Sequence, residues 1–291
     1  MNTKQLTRGA MVMAIYALLL FLNEQFGLFI ETTFSWAFCF PILIYASTQP
    51  IYPSIICAIG MILETLLFGG FTTWFYSWTS ILIGLFYGIC TWKRKTSAFK
   101  LGGVFILSFL SYWLIFFLYA KIFALDYMED FKLFHEIFPF LDLFVFLTLT
   151  VVLLSLLQTI SIHLLAMMIY IRMKIETVPM KKVWQIKPPL WLGVGSIILL
   201  VVFLASQSVI ECSERANDLI LIAFALDLMA LDYYGVVYMI HYCIAHRKRQ
   251  WTFFAILLGF IPPLCLISIG LGELDCLLSL RHRRSKKENG I

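Results

Sequence analysis

The sequence predicts an all-α polytopic membrane bundle, with about eight to nine spanning helices on a ruler of roughly 20 apolar residues per crossing. Hydrophobic residues make up 61% of the 291 positions and charged residues 13%, with a mean hydropathy of +0.89, too little polar surface to coat a water-soluble globule of this length. The apolar stretches are long and lack the two-residue alternation of barrel strands, so the spanning elements must be helices, which satisfy their backbone internally. The basic residues, finally, collect in a few short stretches between the apolar runs.

In chain order the apolar runs place spans at 8–30, 34–48, 51–70, 72–92, 99–125, 138–170, 190–208 and 218–245. The first resembles a secretory signal, yet it flows into Asn23-Glu24-Gln25 without a small-x-small cleavage site, and it reads as an uncleaved first helix. The second is short, has Pro41 inside it and is followed by Pro50 and Pro53. A last segment, 251–280, is interrupted by Pro262-Pro263 and reads either as a ninth crossing or as a re-entrant hairpin. Residues 127–138 place Phe131, Phe134, His135 and Phe138 at helical spacing, the pattern of a surface-lying helix or of a plain acidic loop.

The one long hydrophilic interior stretch is 172–189, with Arg172, Lys174, Lys181, Lys182 and Lys187 ahead of a Pro-Pro stop. All 22 Lys and Arg except Lys121, Lys132 and Arg215 lie before the first span, after the fourth (Lys93, Arg94, Lys95, Lys100), in this linker, after the eighth, or in the tail. When eight spans alternate, every group but the tail falls on one side, while Glu24, Glu31, Asp126, Glu129, Asp130, Glu136, Glu211 and Glu214 fall on the other. The positive-inside rule then predicts a cell-membrane protein with its N-terminus and linker in the cytoplasm, and the basic tail is expected there too. The same clustering at helix ends accounts for the +5 net charge without nucleic acid. Domain boundaries follow: a six-helix membrane core at 1–175, a basic cytoplasmic linker at 176–189, and further membrane helices with the tail at 190–291.

Charged groups inside lipid cost roughly 2.5–3.5 kcal/mol at the centre of a span and need a partner or a cavity. Three spans carry such groups or polar stripes. In the third, Cys57, Gly60 or Met61, and Glu64 share one stripe just ahead of Gly69-Gly70. The sixth carries Ser155, Thr159 and His163 at i, i+4 and i+8 with Gln158 beside them, the pattern of interhelical hydrogen bonds or of a proton path. The eighth aligns Asp227, Tyr234, Tyr238 and His241, with Asp232 pointing elsewhere, which fits either an Asp bonded to a Tyr or proton coupling. Near the end, Glu273 and Asp275 read as partners for Arg281 at an interface. Ser80, Gly84 and Gly88 form a small-x-x-x-small ladder suited to internal packing or to a homodimer.

No H-E-x-x-H, P-loop or G-x-S-x-G motif is present, and the five His are scattered, so no enzyme, cofactor or metal site is expected. Six of the seven Cys lie in or beside apolar runs and no C-x-x-C pair occurs, which marks them as small buried hydrophobes.

The opening T-K-Q-L-T-R-G-A-M-V-M-A-I-Y-A, the segment Trp184 to Pro189, and the ending I-P-P-L followed by L-G-E-L-D and a basic R-x-R-R resemble the YybS-like family of bacterial membrane proteins across nearly the whole chain. That family is in turn similar to the S components of energy-coupling-factor transporters, six-helix proteins with both ends in the cytoplasm. The resemblance implies a small ligand bound in the outer half of the bundle, with Glu64, Trp74, Tyr119, Lys121 and Asp142 as candidates at that depth. A structural ion pair between Lys121 and Glu64 or Asp142 is the competing reading. It also implies docking of a T component, with its ATPases, on Ala10 and Ala14 of the first helix, although the same A-x-x-x-A spacing serves ordinary packing. The helices after the linker have no counterpart in a plain S component. Two other functions stay open: a membrane scaffold that recruits envelope or cytoplasmic partners through its basic segments, and a proton-coupled carrier using Asp227 and Asp232.

Overall fold

The structure, a computed structural model, describes residues 2–119, 132, 136, 142–178, 186, 188–208, 213–246, 249–261 and 264–278, and every regular element among them is helical. Six helical segments are long and apolar enough to cross a membrane: Thr3–Gln25, Phe29–Thr48, Ile51–Phe68, Ser97–Leu118, Leu143–Met173 and Glu214–Ala245. The chain forms two compact units, one from Met1–Asp130 with Thr150–Met180, the other from Phe131–Leu149 with Lys181–Ile291. Residues 131–149 thus group with the later part of the chain and not with the expected core at 1–175.

The first unit contains α1 (Thr3–Gln25), α2 (Phe29–Phe34), α3 (Phe40–Thr48), α4 (Ile51–Phe68), α5 (Gly70–Trp92), α6 (Ser97–Leu114) and most of α7 (Leu143–Met173). Helix α1 stops five residues before the expected end at 30, because Gly27 (φ 63°) and Leu28 (φ 64°) turn the chain left-handed. The Leu28 amide then closes the helix on the Asn23 carbonyl at 2.8 Å. The second span is longer than its apolar run suggested: α2 passes through a 3-10 turn at Ser35–Cys39 into α3, which places Pro41 in the first turn of a new helix. A missing amide hydrogen costs nothing there. At the other end of the unit α5 and α7 stop in the same left-handed way on Arg94 (φ 51°) and Lys174 (φ 54°), and Arg94 Nη2 meets Glu176 Oε2 at 2.5 Å. Helix α6 runs into a π-helical turn at Ile115–Tyr119.

The core of this unit falls into two apolar clusters. Tyr16, Leu20, Phe38, Ile42, Met61 and Ile81 lock α1, α3, α4 and α5 together, and Cys39, Ile83, Tyr87, Val104, Ile162 and Tyr170 join α5 to α6 and α7. The Ser80-Gly84-Gly88 ladder of α5 is used inside the chain: a methyl on Gly84 would lie 2.9 Å from Ile42 Cγ2, and one on Gly88 would lie 2.7 Å from the Leu43 carbonyl oxygen. Its face is occupied by α3, which settles the choice between internal packing and a free dimer face. The surface-helix pattern at 127–138 lies outside the described residues except Lys132 and Glu136, both helical and exposed.

The second unit contains α8 (Leu190–Ser208), α9 (Glu214–Ala245), α10 (Thr252–Phe260) and α11 (Cys265–Leu278), with a 3-10 turn at Arg249–Trp251. The segment 251–280 is therefore not one straight crossing, since its helices of 9 and 14 residues fall short of the roughly 20 a single span needs. Pro262, Pro263 and the basic tail lie outside the described residues. Helices α9 and α11 cross at reciprocal glycines: a Cβ on Gly235 would land on the Ser268 carbonyl, and one on Gly272 on the Leu231 carbonyl. In lipid, where no hydrophobic effect drives helices together, such backbone approach supplies the packing. Gly235→Val or Gly272→Val is expected to force this pair apart at a cost of about 1–3 kcal/mol, visible as a lower melting temperature in detergent, whereas Gly195→Val, which meets open space, leaves it unchanged.

Candidate functional site

The most polar part of the first unit lies where α1 turns into α2 and α4 into α5. The α4–α5 turn is tight because Gly70 takes φ 69° and the Gly69 amide returns to the Thr65 carbonyl at 2.8 Å. Behind it sits a chain of fully buried polar groups. The Tyr16 hydroxyl lies 2.6 Å from Thr65 Oγ1, to which Ser77 Oγ also donates at 3.3 Å. One turn nearer the end, Asn23 donates to Glu31 Oε2 at 3.1 Å and accepts the Glu31 amide at 3.0 Å, while the Thr73 hydroxyl donates to the same carboxylate oxygen at 2.5 Å. Glu31 is only 4% exposed and meets no basic side chain among the described residues, so Asn23 and Thr73 supply the hydrogen bonds that a buried carboxylate requires.

Three groups in this layer are left over. Glu64 Oε2, Trp74 Nε1 and Trp78 Nε1 are all shielded and have no hydrogen-bond partner. Glu64 continues the α4 stripe that faces α1, where Cys57 Sγ lies 3.9 Å from the Gly9 carbonyl and a methyl on Gly60 would lie 2.9 Å from Met13 Cε. Trp74 stacks on Phe71 at 5.9 Å and on Trp78 at 6.5 Å, forming an aromatic ladder along α5. The hairpin brings Glu64 and Trp74 to one depth on neighbouring helices. Thr65, next to Glu64, faces the seam toward Tyr16 and Ser77.

The other candidates do not gather into this layer as a set. Tyr119 lies in the π-helical turn after α6, Lys121 lies outside the described residues, and Asp142 is an exposed residue of the second unit. The Lys121 ion pair accordingly falls outside what is described. Ala10 and Ala14 are both exposed, flanked by exposed Met11, Ile15 and Leu18, and so form an exposed apolar strip of α1.

On α7, Ser155 and Thr159 donate to the Val151 and Ser155 carbonyls of their own helix at 2.6 and 2.7 Å, so this stretch of the stripe does not bond between helices. Gln158 is buried beside them. His163 does reach across: its Nδ1 lies 2.7 Å from the Tyr87 hydroxyl of α5, and its Nε2 is buried without a partner.

In the second unit, Asp232 accepts from the Ser268 hydroxyl of α11. Asp227 is not bonded to a Tyr: its Oδ2 is buried and unpartnered, and the residue lines a cavity of about 310 Å3 with Trp191, Leu192, Gly195, Ile198, Leu199 and Val202. Glu273 likewise has both carboxylate oxygens buried and unpartnered, facing Ser196 and within electrostatic reach of Asp227. Asp275 is wholly buried, and Arg281, the expected partner of these two acids, lies outside the described residues. His241 is half-buried on α9. A second cavity, about 480 Å3, is lined by Tyr238, Met239, Tyr242, Trp251 and Phe254 among others. Among the described residues no three His, Cys, Asp or Glu are placed to hold a metal ion.

The sequence reading missed Asn23, Glu31, Thr73, Tyr16 and Trp78. Glu31 looked like an outer-loop acid and Asn23 like part of the first span, because the α1 stop at Gly27-Leu28 was not recognised. The helical stripe Thr73-Ser77-Ser80 was the available signal on α5. Asn23→Ala removes both bonds to Glu31 and leaves a buried carboxylate short of a donor, at an expected cost of about 1–3 kcal/mol in unfolding or thermal melting. Thr33→Ala, at an exposed position of α2, is expected to change nothing measurable.

Compared with protein-family models, curated proteins and solved structures, the chain has no match.

Proposed function

We propose that the chain is a multi-pass protein of the cell membrane whose first unit binds a small hydrophilic ligand through the layer at the α4–α5 turn, as part of a transport system. In this reading eight to nine segments cross the bilayer, the N-terminus, linker and tail are cytoplasmic, and the ligand enters from outside. The observation that carries it is the contrast within one layer: Tyr16, Asn23, Glu31, Thr65, Thr73 and Ser77 satisfy one another, while Glu64, Trp74 and Trp78 keep a free acceptor and two free donors. Unsatisfied polar atoms in a dry bundle each cost about 1–3 kcal/mol, a cost a ligand can remove on binding. Stacked indoles beside them suit a flat polar ring. The exposed Ala10-Ala14 strip supports docking of a T component with its ATPases, since small side chains let another helix approach closely.

A panel of small water-soluble compounds screened by thermal shift in detergent is expected to contain at least one stabiliser. Glu64→Gln and Trp74→Phe should each weaken it about tenfold or more, as loss of a hydrogen bond to a charged or buried group does. Wild-type affinity in both variants sinks the assignment of the site. Ala10→Leu with Ala14→Leu should abolish copurification of an ATPase module while leaving ligand binding intact, and unchanged copurification removes the docking part.

A second reading, a proton-coupled carrier, draws on the unpartnered carboxyl groups of Asp227 and Glu273, which no base among the described residues neutralises in that part of the second unit. Asp227→Asn is expected to abolish uptake driven by an imposed pH gradient in vesicles, and full uptake by that variant excludes the carrier.

A further inference from the structure

Lys100 reads in the sequence as one of the loop charges after the fourth span. The structure puts it elsewhere. It lies one turn inside α6, on the buried stripe Lys100-Val104-Ser108 at i, i+4 and i+8, with exposures of 1%, 1% and 0%. Val104 packs with Tyr87 of α5 and with Ile162, Ala166 and Tyr170 of α7 in one cluster, so this stripe faces the α5–α7 seam.

Donor and acceptor accounting on that seam does not close. Lys100 Nζ sits 5.4 Å from the centroid of the Tyr87 ring, and no carboxylate pairs with it among the described residues. Of the described acids in the unit, Glu24 is exposed near the end of α1, Glu31 is held by Asn23 and Thr73, Glu176 by Arg94, and Glu64 lies on the face of α4 toward α1. A cation–π contact contributes about 0.5–2 kcal/mol, against several kcal/mol for taking an ammonium out of water. The Tyr87 hydroxyl has His163 Nδ1 as its partner at 2.7 Å. If the hydroxyl donates, His163 carries its proton on Nε2 and a single N–H is orphaned. The opposite tautomer would orphan both the Tyr87 O–H and the Nε2 lone pair, so the first arrangement is preferred. His163 is 5% exposed, and its Nε2 has no partner; neither has the Oγ of Ser108. Lys100 also acts electrostatically on the His163 ring. The seam thus holds a cation, an N–H and a hydroxyl with too few acceptors.

We propose that the α5–α6–α7 seam of the first unit is an internal oxyanion site, in which Lys100 supplies the charge and His163 Nε2–H a hydrogen bond to a carboxylate or phosphate group, while Ser108, two turns or about 12 Å along α6 from Lys100, lies too far to share it. The group belongs either to a small free anion or to a phospholipid headgroup, and the two share the chemistry the seam lacks: negative charge and several acceptor oxygens. The site is separate from the layer at the α4–α5 turn, so either stands without the other.

The test uses the full chain, delipidated in maltoside micelles, which carry no oxyanion. Its melting temperature is followed against inorganic phosphate and against acetate at constant ionic strength balanced with chloride, and separately against phosphatidylglycerol. A saturable rise with phosphate or acetate supports the site with a free anion as occupant, and a rise with phosphatidylglycerol alone supports it with a headgroup. Lys100→Met should then need about tenfold or more of the same anion or lipid for half-saturation, whereas Ser108→Ala leaves it unchanged. No response of the wild-type protein to any of the three overturns the proposal, as does a Lys100→Met protein that responds like wild type. If Lys100→Met does not fold, the wild-type series decides alone.

Discussion

A membrane helix has no water to fall back on, and the arrangement of each unit follows from that constraint. Backbone groups are satisfied by helix formation, which is why every regular element among the described residues is helical. Side chains are a harder case, because a Thr or Ser can bond back to its own helix but an Asn, Glu or Tyr needs another element. Ser155 and Thr159 take the first route. Asn23, Glu31 and Thr73 take the second, and their mutual bonds tie the ends of α1, α2 and α5 into one layer. A Glu at 4% exposure is tolerable only because Asn23 and Thr73 hydrogen-bond it.

Close helix approach is the other half of stability in such a bundle. Lipid tails offer side chains as apolar a setting as a protein core, so the gain comes from backbone contact through small residues. Gly84 and Gly88 let α5 lie on α3, and Gly235 with Gly272 does the same for α9 on α11. Both contacts sit beside polar groups: Ser80 and Tyr87 lie on the first helix face, and Ser268 bonds to Asp232 at the second. Tight packing therefore fixes the positions of the polar atoms that remain unmatched.

Those unmatched atoms, Asn217 Oδ1 apart, concentrate in three places. At the α4–α5 turn they are a carboxylate oxygen and two indole N–H groups, on the α5–α7 seam an imidazole N–H and a hydroxyl, and in the second unit one carboxylate oxygen of Asp227 and both of Glu273. A bundle whose polar groups served packing alone would pair an ammonium with a carboxylate. In the first unit Lys100 and Glu64 lie on different helix faces and do not pair, which costs folding energy.

The sequence by itself determined the class. Length of apolar runs, paucity of charge and lack of two-residue alternation are properties of local composition, and they lead to membrane-length helices whatever the tertiary arrangement. Glu64, Trp74, His163 and Asp227 were also legible, because a polar side chain inside an apolar run is conspicuous and each proves to carry an unpartnered atom. What the sequence could not decide was which polar groups cancel. Glu31 read as a loop acid until the left-handed turn at Gly27-Leu28 folded it back onto Asn23, and Lys100 read as a loop base until its stripe on α6 proved to face Tyr87. Pairing across helices depends on rotation and depth, two quantities set by packing and not by the order of residues. Only the tertiary structure fixes them, and with them the difference between a satisfied core and a site.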